Sequence, residues 1–150
     1  ITGTTAVTTA ALPAATIAGG AVATQAQQET GTATDRTVSP GRQHFHPSAA
    51  KGWVQIDASA GNVTSYNVTS ITDNGAGTFT VNWATDFSSA NYNVQATPVL
   101  TATGTDATTF TSQISNSLAA GTTQVVTVNH NSYAATDPNF TMTTAFGDHA

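Results

Sequence analysis

Four histidines, eight carboxylates, three cations and no cysteine set the chemistry open to this chain of 150 residues. Two of the histidines, His44 and His46, flank Phe45 in an H-x-H triplet. On an extended strand both imidazoles would project from one face, because side chains alternate along a strand. One chain would then offer two nitrogens to a transition metal, an incomplete set that needs other copies to complete it. The structural alternative is that His46 bonds a backbone group beside Pro47 while His44 faces solvent. The carboxylates are scattered singly, and neither a G-x-S-x-G elbow nor a glycine-rich phosphate loop occurs. A triad of a serine with His130 and Asp137 would have to be assembled across the fold. No catalytic residue is therefore named, and an enzyme is not expected.

Asp73, Asn74, Gly75 and Gly77 superficially suggest a calcium loop, but the ligands are too few and the closing bidentate Glu is missing. A hairpin turn accounts for all four. Trp53, Trp83, Tyr66, Tyr92 and Tyr133 could supply a stacking platform for sugars, since a pyranose presents an apolar CH face to a ring. Trp83 alternates in phase with Phe79 and Val81, which assigns it to the core. Tyr133 lies in the loop from His130 to Asn139 and is the candidate glycan contact. Arg36, Arg42 and Lys51, all the cations of the chain, fall within sixteen positions. They are candidates for pairing with Asp35, Asp57 or Glu29 across a subunit boundary, where a bidentate arginine fixes register more than it adds stability. The alternative is three solvated charges on a connector.

The elements that must position these residues follow from composition and period. Charged residues are 7% of the chain, against about 25% in an ordinary soluble domain. Leucine occurs three times only, so the Leu/Lys/Glu filling of amphipathic helices is absent and a helical bundle is excluded. A net charge of −5 with three cations leaves no electrostatic footprint for nucleic acid. No apolar run approaches the roughly 18 residues of a membrane span. Ile1 opens a Thr/Ala segment without a basic n-region, and a start without Met is expected of a processed or truncated product, or of the visible part of one.

Residues 1–20 read as an extended, small-residue arm, either mobile or docked as a strand-like strip on another subunit, with docking favoured because mobile linkers are usually richer in Ser, Gly and charge. Ala21 to Thr30 is the one expected helix, stopped by Gly31; its Val22 and Ala26, four apart, are candidates for close packing around a symmetry axis, the alternative being a frayed surface turn. Prolines at 40 and 47 mark a connector. From Trp53 the period changes to two. WVQID is a strand, and Asn62 to Thr72 is read as a second, with a β-bulge needed to bring Ile71 inward. A hairpin carries Phe79, Val81 and Trp83. Further runs are Tyr92–Val94–Ala96, ended by Pro98, then Phe110 to Ile114, Gln124 to His130 and Phe140 to Phe146. The expectation is an antiparallel β-sandwich of about seven strands with an extended N-terminal arm and one short helix. Its inward residues are Phe79, Val81, Trp83, Tyr92, Val94, Phe110, Ile114, Val126, Val128 and Phe146. The domains are expected at 1–35 (arm and helix), 36–52 (connector) and 53–150 (sandwich).

Two stretches, Ala23 to Trp53 (ATQAQQETGTATDRTVSPGRQHFHPSAAKGW) and Ser65 to Val94 (SYNVTSITDNGAGTFTVNWATDFSSANYNV), resemble a module of tailed-phage and prophage virion proteins. The pattern of that family runs TPGRQ-x-x-HPSAAKAW, then YNVTSITDNG-x-G-x-YTVNF, then FSSANY. The resemblance covers about 60 of the 150 residues. Gly52 stands where the pattern has Ala, Trp83 where it commonly has Phe, and only the second histidine of His44 and His46 is kept.

What the resemblance implies is a virion structural protein, a subunit of a trimeric tail or head fibre or other appendage, contributing to host-surface recognition. Its expected partners are itself, as a homotrimer with an interface over Val22, Ala26, Arg36, Arg42 and Lys51, other virion proteins, and a host surface glycan. The location implied is the extracellular particle. A threefold axis would bring six nitrogens of His44 and His46 together for a transition metal; otherwise no cofactor is expected. The rival readings are a capsid decoration or cement protein and a bacterial carbohydrate-binding module.

Overall fold

The computed structural model describes residues 22–99, 110–114, 118–130 and 132–150. The chain divides into two compact units, up to His46 and from Pro47 onward. The expected arm, residues 1–20, lies outside the described residues.

In the first unit the helix α1 spans Gln25–Thr30. Thr24 caps it by accepting from the Gln27 backbone N–H at 3.2 Å, and the Gln27 side chain accepts from the Thr24 N–H at 3.0 Å. This reciprocal capping box fixes the start. Gly31 ends the helix in the left-handed conformation, φ 63°, as its sequence position implies. The helix begins four residues later than the composition suggested, because Thr24 is the better cap. Val22 instead forms a parallel bridge with Thr37.

The second unit is a mostly-β fold of two four-stranded antiparallel sheets. Its strands are β1 (Gly52–Asp57), β2 (Asn62–Tyr66), β3 (Val68–Asp73), β4 (Thr78–Trp83), β5 (Asn93–Val99), β6 (Phe110–Ile114), β7 (Thr122–Asn129), β8 (Ala134–Ala135) and β9 (Phe140–Phe146). One sheet has the order β2-β1-β9-β5 and the other β3-β4-β7-β6, with the two-residue β8 paired to the end of β7. Among the described residues neither sheet closes on itself.

The run from Asn62 to Thr72 is two strands, not one. Asn67 adopts a left-handed conformation, φ 57°, and its side chain clamps Thr85, accepting from the Thr85 N–H at 2.7 Å and donating to the Thr85 carbonyl at 3.1 Å. Asparagine tolerates that backbone region better than other residues with a side chain. The chain there leaves one sheet for the other, which puts Tyr66 and Val68 in different sheets. The expected bulge is present, between Val68 and Ser70, and Ile71 turns inward opposite Val81.

Between the sheets lie Val54, Ile56, Phe79, Val81, Trp83, Phe87, Tyr92 and Ala145. Trp83 donates its indole N–H to the Tyr92 hydroxyl (3.3 Å) and to Thr123 Oγ1 (3.2 Å), and the Tyr92 hydroxyl donates to the carbonyl of Thr122 at 2.7 Å. Phe87 stacks on Tyr92 with centroids 4.0 Å apart and planes at 4°. The block from Phe87 to Tyr92 thus anchors the loop to the core of the sandwich.

Two strands have the phase opposite to the one expected. β7 buries Thr123, Val125 and Thr127, leaving Val126 and Val128 half-buried on its other face. β9 buries Thr141, Thr143 and Ala145, which turns Phe146 outward. Threonine takes the inner positions of β7 because its hydroxyl completes specific bonds. Thr123 serves Trp83 and Tyr92, and Thr127 donates to the carbonyl of Thr136 at 2.8 Å where β7 passes from β4 to β8. β5 also continues through Pro98 to Val99; it is an edge strand, where a missing N–H costs no ladder bond. Val94 and Ile114 are half-buried; the side chain of Phe110 lies outside the described residues.

Candidate functional site

The outer face of the β2-β1-β9-β5 sheet is fixed by the inward set Val54 and Ile56. Alternation then turns Trp53 and Gln55 outward, and the pairing register aligns two rows across four strands. The first row is Tyr66, Trp53, Thr144 and Gln95; the second is Thr64, Gln55, Met142 and Thr97. With strands about 4.8 Å apart and same-face residues about 6.7 Å apart along a strand, the rows cover about 14 by 7 Å. Trp53 is 38% exposed, Tyr66 47% and Met142 47%. A shallow recess of about 240 Å³ opens here, lined by residues of β1, β2 and β9 that include Trp53, Gln55, Thr64, Met142 and Thr144.

None of the eight residues in the two rows carries a charge. The face offers aromatic and thioether surface next to amide and hydroxyl groups, a combination suited to a neutral ligand with one apolar side and many hydroxyls.

Of the five aromatic residues singled out in the sequence, Trp83 and Tyr92 are buried, Trp53 and Tyr66 are direct cross-strand partners, and Tyr133 stands apart. Tyr133 is 77% exposed at a left-handed position, φ 53°, with its ring 5.3 Å from that of His130. Sequence reasoning preferred Tyr133 because it lies in a loop. The phase of WVQID, which buries Val54 and Ile56 and so exposes Trp53, was the signal for the flat face.

The H-x-H triplet is not extended. Gln43–Phe45 form a 3-10 turn, with His46 as its extended C-cap, so the shared face expected of a strand does not exist. His44 packs on Phe45 at 4.0 Å. His46 lines a second cavity, about 190 Å³, with Ala23, Gln27, Gln28, Gly31, Ala33, Arg36 and Val38. Among the described residues no group of three or more His, Asp or Glu is placed to hold a metal ion.

Val22 is 46% exposed and Ala26 is exposed on α1. Arg36 lies 3.5 Å from its neighbour Asp35, Arg42 is exposed before the 3-10 turn, and Lys51 is 2% exposed. The carboxylates considered as their partners have roles within the chain. Asp57 accepts from the Ser59 and Gly61 N–H groups, both at 2.8 Å, and Glu29 accepts from the Gln25 amide at 2.8 Å. Asp137 accepts from the Gly77 N–H at 2.5 Å, a turn contact rather than a link to His130.

Comparison with known proteins found no matching family model, no matching curated protein and no matching solved structure.

Proposed function

We propose that the chain is a structural, non-catalytic subunit of a tailed-phage appendage, a tail or head fibre, whose β-sandwich faces outward and takes part in host-surface recognition. The observation that carries this reading is the outer sheet face, where Trp53, Tyr66 and Met142 are exposed on an uncharged strip. An interior residue set of that kind displayed to solvent calls for a ligand or a partner. The resemblance of Ala23 to Trp53 and Ser65 to Val94 to virion modules supports the setting.

A second point favours the same module. Two of the departures from its pattern meet in space: a Cβ on Gly52 would lie 2.5 Å from Cζ3 of Trp83. The smaller residue at 52 makes room for the larger one at 83, as a repacked version of one common core would require.

In this reading the chain is a homotrimer, with the contact between copies in the segment from Ala21 to Trp53. The chain is poor in large apolar residues, so association around small side chains adds buried area that one copy lacks. Sedimentation equilibrium is expected to give three times 15.2 kDa; a stable monomer at micromolar concentration contradicts the trimer. An antibody raised against residues 47–150 is expected to gold-label appendages on intact particles. Labelling confined to the capsid shell would support a decoration protein, and unlabelled particles overturn the proposal.

A further inference from the structure

We propose that the outer face of the β2-β1-β9-β5 sheet is a binding site for a neutral glycan, with Trp53 and Tyr66 as the stacking surface. The inference rests on the adhesive reading above and names its site and ligand class.

Four features select this occupant. First, Trp53 and Tyr66 are opposite one another in the β1–β2 register, which places two aromatic side chains next to each other on one face. Second, both remain well exposed, so the apolar surface they present is free for a sugar ring to cover. Third, the neighbouring positions mix apolar and hydrogen-bonding groups: Gln55 and Thr97 flank Met142, and Thr144 and Gln95 continue the row of Trp53. A hexose has the same mixture, with a CH face and equatorial hydroxyls. An apolar peptide helix would require a continuous apolar stripe, which the glutamines and threonines interrupt. Fourth, the two rows contain no charge, so they offer no ion-pair partner to a sulfated, phosphorylated or sialylated polymer, and desolvating such an anion there would be uncompensated. About 14 Å of length across four strands accommodates more than one sugar unit, so an oligosaccharide lying across the strands is favoured over a monosaccharide.

The test uses the full chain on an array of immobilised neutral oligosaccharides built from hexose and N-acetylhexosamine units, beside sulfated and sialylated counterparts. Neutral probes are expected to be retained and anionic ones not, and titration with a retained oligosaccharide is expected to change the emission of exposed Trp53. Trp53→Ala and Tyr66→Ala are each expected to weaken binding at least about tenfold. Trp53→Phe, which keeps a ring, is expected to recover part of it. Tyr133→Ala is expected to leave binding unchanged. An unaltered far-UV spectrum of each variant shows that the fold persists.

Retention of no neutral probe overturns the proposal, as does unchanged binding by Trp53→Ala. Loss with Tyr133→Ala alone moves the site to the loop and also overturns it. If Trp53→Ala changes the sedimentation behaviour and no glycan binds, the face is a contact between copies. Particle labelling is independent of these outcomes: glycan binding by a chain absent from particles would retain the site and refute the appendage.

Discussion

Adding one methyl group at Gly52 is expected to destabilise the sandwich, and shrinking Trp83 is expected to cancel that cost. The added Cβ would lie 2.5 Å from Cζ3 and 2.8 Å from Cε3 of the indole. Carbon pairs settle at about 3.5–4.0 Å, so the ring must retreat by about 1 Å. Trp83 is 4% exposed, edge-on to Phe87 with centroids 5.7 Å apart, and holds Tyr92 and Thr123 through its N–H. Overpacking of this kind costs about 1–3 kcal/mol. Weakening the indole hydrogen bonds adds up to about 1 kcal/mol. Against this, alanine restricts the unfolded chain and returns about 0.4–1 kcal/mol where the backbone is compatible, as it is at Gly52. The net expectation for Gly52→Ala is a loss of about 1–3 kcal/mol. In a Trp83→Phe background the obstructing ring atoms are gone, and the same substitution is expected to be neutral or slightly stabilising. Urea unfolding followed by far-UV circular dichroism, which does not depend on Trp83 as a reporter, gives the four corners of the cycle. A coupling above about 1 kcal/mol is predicted, beyond the ~0.3–0.5 kcal/mol scatter of independent sites. Additive effects, or a neutral Gly52→Ala, would refute the idea that positions 52 and 83 share one space.

Tyr92→Phe removes the hydroxyl that bonds the carbonyls of Ala119 and Thr122 and meets Thr123 Oγ1 at 2.6 Å; a loss of about 1–3 kcal/mol is expected, and an unshifted urea midpoint would contradict it. Gly77→Ala puts a side chain on a residue at φ 65° whose Cβ would lie 2.6 Å from the Thr127 carbonyl, so a loss of about 2 kcal/mol or more is expected. Its signature is faster amide exchange at Thr127 and Thr136, which pair at this turn. Thr141→Val and Thr143→Val replace buried hydroxyls that have no partner among the described residues; each is expected to gain about 1 kcal/mol. Destabilisation by both would show that those hydroxyls are satisfied.

The alternation of Phe79, Val81 and Trp83 was enough to place β4, since the large apolar residues coincide with the buried ones. The turn at Asp73 to Gly77 and the stop at Gly31 were legible for a similar reason: each rests on residues that favour that local backbone. Legibility failed in β7 and β9, where a rule that sends valine and phenylalanine inward chose the wrong face. The inner threonines of β7 are selected by partners distant in sequence, Trp83 and Tyr92 for Thr123, and Gly77 and Thr136 for Thr127. No local period encodes such partners. The split at Asn67 was hidden because Tyr66 and Val68 keep a strand-like alternation across a residue that reverses the backbone. The candidate site was half legible: its aromatic residues were named, but which of them share a face depends on the register between β1, β2 and β9.

The central claim, that this chain belongs to an assembled particle, is tested most directly by quantitative peptide mass spectrometry of gradient-purified virions. The account predicts the chain in fixed ratio to the major capsid protein, at a copy number per particle divisible by three. Absence from the particles, or trace amounts that vary between preparations, would contradict it.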